Sequence, residues 1–399
     1  MLRLRYVLPV LLSLFILSCS SNDPAAPAYE YLVDAEPTGT LTPTDLRTEF
    51  ADQPQLTNLL SSTVDSWRVV YNTTDPQGNE IQASGLVVIP RRATPSVLSL
   101  HRGTTFIQSE APSLFNPMQS GSNAGWIYLA PVISSFGYIV VMPDLIGYGA
   151  TSGSRHPFFI TDSDARLSID LLKAVDELLD REEIIASGRL FLSGYSQGGS
   201  TVMAILKALQ QGETLPFNLV AAASGGGAYD LNALASHLIN EESIAGSAHI
   251  TFLLTSYLQT YFPDRDLSDI FQEPYATRIT AENLFGGTLS FDQITARLTG
   301  TIEALFTGEF LQAMRGDGEQ ALKARLAENS LHEVAATIPL RIYHGDADEI
   351  IPVEPTREAV QNLIDAGSTN LTFIEVPGGT HFSTALEFGG ASLTWFAFQ

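Results

Sequence analysis

Cysteine and basic residues are scarce in this sequence. Its 399 residues contain one cysteine, Cys19, so no disulfide can form within the chain. Lys and Arg number 21 against 44 Asp and Glu, which gives a formal net charge of −23 at pH 7. A nucleic-acid-binding protein needs a basic footprint. This acidity therefore excludes nucleic acid as an expected partner, and it disfavours anionic substrates and anionic bilayer surfaces.

Motifs for metals and nucleotides are also absent from the sequence. No His and Cys residues have the spacing of a metal site, and no P-loop is present. The glycines at 147–149 and 225–227 lack the spacing and context of a dinucleotide-binding turn. We therefore expect neither a metal nor any other cofactor.

The first residues have the pattern of an export signal. Arg3 and Arg5 precede an apolar stretch from Val7 to Leu17, which is too short to be a comfortable membrane span. The cysteine that follows, Cys19, resembles the lipobox cysteine of bacterial lipoproteins. That resemblance implies lipidation of Cys19; the alternative is an ordinary cleaved signal with an incidental cysteine.

This pattern divides the chain. Residues 1–18 are expected to be a signal peptide, and residues 19–43, rich in Ser, Pro, Ala, Asp and Thr, predict a flexible tether. The remaining segment, 44–399, is long enough for a full core plus an insertion. The expected location is the bacterial outer membrane or cell surface, held only through the N-terminal lipid; a secreted or periplasmic protein is the alternative.

The most informative motif is a G-x-S-x-G sequence centred on Ser196. An apolar run at 189–193 predicts a strand before it, and residues 200–206 predict a helix after it. A sharp turn between strand and helix strains the serine backbone and lifts its Oγ above the sheet edge. Gly194 and Gly198 are needed because side chains there would clash with the neighbouring strand and helix. Ser196 is therefore a candidate nucleophile.

A serine hydroxyl needs a histidine base, and the histidine needs an acid to fix its tautomer. The chain supplies both after later apolar strands. One strand is followed by Asp346, Asp348 and Glu349, and the next by His381, the only histidine after these acids. The spacing leaves the choice of acid open.

Together these motifs resemble the α/β-hydrolase superfamily. The segment 344–352 is similar to its H-G-x-x-D-x-x-[VI]-P pattern, which maps the triad acid to Asp348 and leaves Asp346 and Glu349 as alternatives. Asp346 would then cap a turn, and His344 would order the acid loop. The resemblance implies an α/β fold with a mostly parallel central sheet flanked by helices.

Two further segments resemble the secretory lipase and carboxylesterase branch of this superfamily. Residues 67–90 predict an antiparallel hairpin like the opening hairpin of secreted lipases. Residues 143–149 match a P-D-x-x-G-x-G loop, followed by His156 and a proline. Asp144 and His156 are expected to hold this loop.

The oxyanion of an acyl-transfer intermediate needs two backbone donors. One is expected to be the N–H of Gln197, and the other should follow an early strand at 96–100. Arg102 interrupts the familiar H-G motif of that loop, so we expect the N–H of Thr104 to be the second donor, with Gly103 as the alternative.

Residues 231–336 predict a mostly helical insertion before the acid-bearing strand. Insertions here form lids in α/β-hydrolases. Most of the aromatic residues in the insertion are expected to form its own small core, while a few line an acyl or alcohol pocket. His237, His249 and His332 are expected to be surface or packing residues.

The sequence thus predicts an esterase or lipase of class EC 3.1.1, which cleaves carboxylic esters through an acyl-enzyme. The aromatic insertion favours a small, neutral, hydrophobic ester. Two alternatives remain: a serine peptidase of dipeptidyl-peptidase-like type, and a non-catalytic surface binding protein on the same fold.

Overall fold

The computed structural model of the chain describes residues 29–51, 60–117, 127 and 129–399. Within them one sheet has nine strands in the order β1-β2-β3-β5-β4-β6-β7-β8-β9. The strands are β1 (Leu32–Leu41), β2 (Val64–Thr74), β3 (Glu80–Pro90), β4 (Ser96–His101), β5 (Tyr138–Pro143), β6 (Arg189–Tyr195), β7 (Asn218–Gly225), β8 (Leu340–Gly345) and β9 (Leu371–Val376).

Helices cover both faces of this sheet and fill the insertion between β7 and β8. They are α1 (Pro43–Glu49), α2 (Leu129–Ser135), α3 (Thr161–Arg181), α4 (Gln197–Gln210), α5 (Leu231–Leu238), α6 (Ser247–Tyr261), α7 (Tyr275–Ala281), α8 (Phe291–Thr295), α9 (Ile302–Leu305), α10 (Gly308–Arg315), α11 (Gln320–Glu328), α12 (Val353–Asp365) and α13 (His381–Phe396). No helix in the described ranges is both long and apolar enough to cross a bilayer.

The sheet is mostly parallel, as the sequence predicted. Strands β5, β4, β6, β7, β8 and β9 pair in parallel, while β1, β2 and β3 are antiparallel to their neighbours. The predicted hairpin is confirmed: β2 and β3 pair from Val64 with Pro90 to Thr74 with Glu80. Its turn is held by Asp75, whose Oδ1 accepts from the N–H groups of Gln77 and Asn79.

The prediction of a flexible tether through residue 43 is wrong for its last part. Leu32–Leu41 forms the edge strand β1, in which Leu32, Ala35 and Leu41 are buried. The Glu177 carboxylate on α3 also accepts hydrogen bonds from the N–H groups of residues 30–32, at 2.6–3.3 Å. The sequence did not predict this strand because its buried residues lie three and six positions apart among polar ones, which is not the alternation typical of a strand. The predicted signal, with Cys19, lies outside the described residues.

The core lies on the two faces of the sheet. Helix α3 is amphipathic, and its apolar residues are buried against β2, β3 and β5 together with α4. The other face is covered by α2 and α13. Burial on both faces explains why the central strands are nearly continuous apolar runs.

The inserted helices α5 to α11 have a core of their own. It includes Phe252, Tyr257, Phe271, Phe306 and Phe310, as predicted for most aromatic residues of this segment. The predicted end of the insertion at residue 336 is too late. Residues 331, 334 and 336 belong to the core of the main sheet, because the chain returns to it directly after α11.

Candidate active site

Ser196 lies at the turn between β6 and α4, where its backbone has φ 59° and ψ −123°. A positive φ is strained for a residue with a side chain, and such strain is concentrated at functional sites. The side chain is held at the first turn of α4, at the carboxyl edge of the parallel strands. The predicted strand, sharp turn and helix are therefore all present.

The flanking glycines are required by close backbone contacts. A Cβ on Gly194 would lie 2.1 Å from the carbonyl oxygen of Gly198, and a Cβ on Gly198 would lie 2.1 Å from that of His101. Neither contact can be relieved by rotating a side chain. The steric reason given for the G-x-S-x-G spacing is thus what the structure shows.

The structure brings together the three side chains predicted as a triad. The Nε2 of His381 lies 2.9 Å from the Oγ of Ser196, and its Nδ1 lies 2.7 Å from an oxygen of Asp348. All three residues are less than 10 % exposed. The carboxylate can accept only from Nδ1–H, so Nε2 carries the lone pair and can accept the serine proton.

The acid is fixed by its own loop. The second oxygen of Asp348 accepts from the N–H groups of Ile350 and Ile351, at 3.0 and 2.8 Å. The Nε2 of His344 donates to the carbonyl of Ile351 at 2.8 Å and lies 3.4 Å from Asp348. Burial lowers the pKa of His344, so its ring is neutral near neutral pH. This matches its expected part in ordering the acid loop.

Neither competing acid contacts the His381 ring. Asp346 is exposed and accepts from the N–H of Gly378 at 2.5 Å, which is the turn-capping position expected for it. Glu349 is exposed and accepts from the backbone N–H of His381 at 3.2 Å. Both carboxylates therefore connect the loop after β8 to the backbone that follows β9.

The backbone carrying His381 is anchored by Tyr195, whose hydroxyl donates to the His381 carbonyl at 2.8 Å. Sequence reasoning missed this contact. The residue between Gly194 and Ser196 is an unconstrained position in the motif, so only its aromatic character hinted at a role. The base is thus tied both to the acid and to the strand that leads to the nucleophile.

Two backbone groups expected to bind an oxyanion lie beside Ser196. Gln197 is the first residue of α4, where N–H groups have no intrahelical acceptor. Thr104 lines the same cavity as Ser196, and its N–H makes no hydrogen bond within the described ranges. Gly103 also lies close to the nucleophile, since a Cβ there would lie 3.4 Å from the Ser196 Cβ.

The Arg102 side chain ties the oxyanion loop to Glu110, and its Nε donates to the Gly103 carbonyl at 3.2 Å. Its Nη1 donates to the Glu110 carbonyl at 2.7 Å, its Nη2 lies 3.4 Å from the Glu110 carboxylate, and burial lowers its pKa to about 10. The Thr105 hydroxyl donates to the same carboxylate at 2.6 Å, and Tyr148 donates to the Thr105 carbonyl. Glu110 is only eight residues from Arg102 but belongs to no recognised motif, and Tyr148 is 43 residues from Thr105, so the sequence did not reveal these contacts.

A buried polar cluster supports Gln197 from behind. The amide nitrogen of its side chain donates to the Nε2 of His156 at 3.0 Å and lies 3.5 Å from an oxygen of Asp164. The Nδ1 of His156 donates to the Ile146 carbonyl at 2.9 Å. Burial lowers the pKa of His156 to about 4 and raises that of Asp164 to about 7. His156 therefore holds the loop, as expected, and also Gln197.

Asp144 holds the same loop without contacting the predicted triad. Its carboxylate accepts from the Ser84 hydroxyl at 2.5 Å and the Ser113 N–H at 2.9 Å. It is fully buried, and burial raises its pKa. Gly149, with φ 53°, is required here because a Cβ would overlap the Asp144 carboxylate.

A cavity of about 630 Å³, counted with its open mouth, reaches Ser196 from beneath the inserted helices. Its walls are mostly aliphatic: Leu231, Leu234, Ala235, Leu238, Ile244, Ile250, Leu253, Ile350 and Ile351. The aromatic residues in its wall, Phe158 and Phe159, come from outside the insertion, in contrast to the expectation. This apolar lining suits an apolar ligand.

The fold and these strand-end side chains define an α/β-hydrolase. Two solved structures have the same fold: the rice cell wall degrading esterase LipA of Xanthomonas oryzae and lipase A of Candida antarctica. LipA has a TM-score of 0.78 and 23 % identity, covering 92 % of this chain and 96 % of LipA. Lipase A has a TM-score of 0.65 and 17 % identity, covering 93 % and 82 %.

The sequence comparisons give the family. The secretory lipase family matches residues 118–398, and the chain belongs to that family. Lipase 5 of Candida albicans is 26 % identical over 346 residues, which cover 83 % of this chain and 71 % of that lipase. The predicted resemblance to the secretory lipase branch is thereby confirmed.

Proposed function

We propose that this protein is a serine hydrolase that cleaves neutral carboxylic esters through an acyl-enzyme. The observation that carries the proposal is the continuous hydrogen-bonded series from Ser196 through His381 to Asp348, at 2.9 and 2.7 Å. Membership of the secretory lipase family supports an ester as the substrate. The apolar cavity beside Ser196 supports a hydrophobic one.

In the first half-reaction, Ser196 Oγ attacks the ester carbonyl carbon while His381 Nε2 takes the hydroxyl proton. Asp348 keeps Nδ1 protonated and stabilises the imidazolium that forms. Collapse of the tetrahedral intermediate breaks the bond to the alcohol oxygen, which receives the proton from Nε2. The acyl group remains on Ser196.

In the second half-reaction, water attacks the acyl carbon and gives its proton to His381. The new intermediate releases the carboxylic acid and returns the proton to Ser196. In both intermediates the N–H groups of Gln197 and Thr104 bind the oxyanion, with Gly103 as the alternative second donor. Gln197 opens α4, so the helix dipole also favours negative charge there.

The test is an initial-rate assay on p-nitrophenyl esters from acetate to palmitate. It uses the protein from residue 20 onward and its Ser196→Ala variant. We expect hydrolysis by the wild type and a loss of at least about 10³-fold in the variant. Equal rates in the two proteins, or cleavage of a dipeptidyl anilide with no ester hydrolysis, would contradict the proposal. The chain-length optimum separates a carboxylesterase from a lipase.

For location, we propose that the chain is exported and anchored through a lipid on Cys19. The motif at its N-terminus supports this, and β1 begins at Leu32, which leaves a short spacer between lipid and domain. The test compares full-length protein with Cys19→Ser in a bacterial host. We expect the wild type in the membrane fraction and the variant in the soluble exported fraction; an unchanged distribution contradicts the anchor.

A further inference from the structure

One ring in the cavity beside Ser196 differs from its aliphatic neighbours. His249, in the first turn of α6, lines the cavity, although the sequence suggested only a surface or packing residue. Its Nδ1 is buried and has no hydrogen-bond partner in the described part of the chain. A buried polar atom without a hydrogen bond costs free energy. The presence of this nitrogen in the cavity therefore needs an explanation, and a ligand that bonds to it is one.

Packing alone does not require a histidine at this position. The ring contacts Phe106 and Phe291, with centroids 5.4 and 5.0 Å apart. A phenylalanine would make similar aromatic contacts without burying a nitrogen. What the imidazole adds is the capacity to form hydrogen bonds.

The charge state of His249 limits what it can bind. Burial lowers its pKa to about 4, so the ring is neutral near neutral pH, with one nitrogen donating and the other accepting. A neutral imidazole pairs well with an uncharged oxygen, and a hydroxyl can meet either nitrogen. A charged group would have to lose its hydration among aliphatic walls, which is costly.

The cavity suits the acyl part of an ester better than the alcohol part. Its aliphatic walls match a hydrocarbon chain. The alcohol receives its proton from His381 and must leave past that residue. The ring of Phe382, the next residue, lies 5.7 Å from that of His381 and is 65 % exposed, so this side of the base is the one nearer to solvent.

Resting on the ester hydrolysis proposed above, we propose that His249 is a specificity-determining residue that hydrogen-bonds an oxygen carried by the acyl chain of the ester. The preferred substrates are then esters of oxygenated acids, such as hydroxy acids, rather than of plain hydrocarbon acids. An acyl chain without that oxygen leaves the buried nitrogen unpaired.

The test compares p-nitrophenyl octanoate with p-nitrophenyl hydroxyoctanoates bearing the hydroxyl at successive carbons. Each kcat/KM is divided by the alkaline hydrolysis rate of the same ester, which removes differences in intrinsic reactivity. A second series places the hydroxyl on the alcohol of octanoate esters. We expect at least one hydroxyoctanoate to exceed octanoate by about tenfold in the wild type.

The ratio between the two substrates is compared in three variants. His249→Phe should bring the ratio to about one, and His249→Gln, which keeps a donor and an acceptor, should restore part of it. His237→Phe, on α5 and outside the cavity, should leave the ratio unchanged. A merely structural role of His249 would lower both rates together and leave the ratio where it was.

Three results would overturn the inference. They are no preference for any hydroxyoctanoate in the wild type, a preference that survives in His249→Phe, and a preference confined to the alcohol series. Failure of the proposed function itself is a different result, since it would show as absent ester hydrolysis or as hydrolysis that persists in Ser196→Ala.

Discussion

At the residue scale, two of the three acids in the loop after β8, Asp346 and Asp348, differ in what they hold. Asp348 is buried and contacts the His381 ring, whereas Asp346 is exposed and contacts a backbone N–H. Sequence spacing alone left both open, because they are two positions apart in one loop. The family pattern selected Asp348, and the geometry agrees with that choice.

A paired substitution separates these roles. Asp348→Asn should lower kcat by about 10³- to 10⁴-fold. The amide oxygen stays with the N–H groups of Ile350 and Ile351, so the NH2 group donates to Nδ1 and favours the other tautomer of His381. Asp346→Asn should change kcat less than about threefold. The measurement is steady-state kinetics on p-nitrophenyl butyrate, with thermal melting as a check on folding. A large loss in Asp346→Asn alone would reverse the assignment.

Asp164 offers a pH-dependent test of the cluster behind Gln197. Burial raises the pKa of its carboxyl to about 7 from an ordinary value of 3.8. Between these values the unfolded chain ionises while the folded chain keeps the proton. Stability from this group is therefore present at low pH and lost as pH rises through about 4 to 7.

Asp164→Asn removes that titration and should be increasingly stable relative to the wild type across this window. The difference in unfolding free energy should grow by a few kcal/mol, at about 1.4 kcal/mol per unit of pKa shift. The measurement is urea unfolding at pH 4, 5.5 and 7.5, with Asp162→Asn, exposed on the same helix, as the control. A difference in unfolding free energy that does not vary with pH would contradict the raised pKa of Asp164.

At the element scale, the strand-turn-helix around Ser196 was predictable because its glycines leave little steric choice. The edge strand β1 was not, since its few apolar residues lie among polar ones and its pairing partner comes later in the chain. The wall of the cavity was equally hidden. Phe158 and Phe159 reach it from a loop that the sequence pattern assigned only to positioning.

The turn between β6 and α4 that carries Ser196 gives a prediction about stability and activity. Gly198→Ala places a Cβ 2.1 Å from a backbone oxygen, so the turn must open and active folded protein should be lost. Gly390→Ala is the matched control, because Gly390 lies in α13 with open space around it. The control should keep its activity and gain up to about 1 kcal/mol of stability. An active, equally stable Gly198→Ala protein would contradict the steric account.

At the scale of the whole molecule, fold class was predictable because strand ends and turn motifs occur in a fixed chain order. The limits of the inserted helices were less so, because residues 331–336 continue a helical composition yet pack on the main sheet. The net charge of −23 repels an anionic substrate, and the apolar cavity offers it no compensating charge. Both features fit a neutral substrate better.

The most direct test of the central claim is to observe the acyl-enzyme. Wild-type protein is mixed with p-nitrophenyl octanoate, quenched in acid within one turnover and digested for peptide mass analysis. We predict an octanoyl group on the peptide that contains Ser196, and none in Ser196→Ala. Turnover without an acylated Ser196, or the acyl group on another residue, would contradict the account.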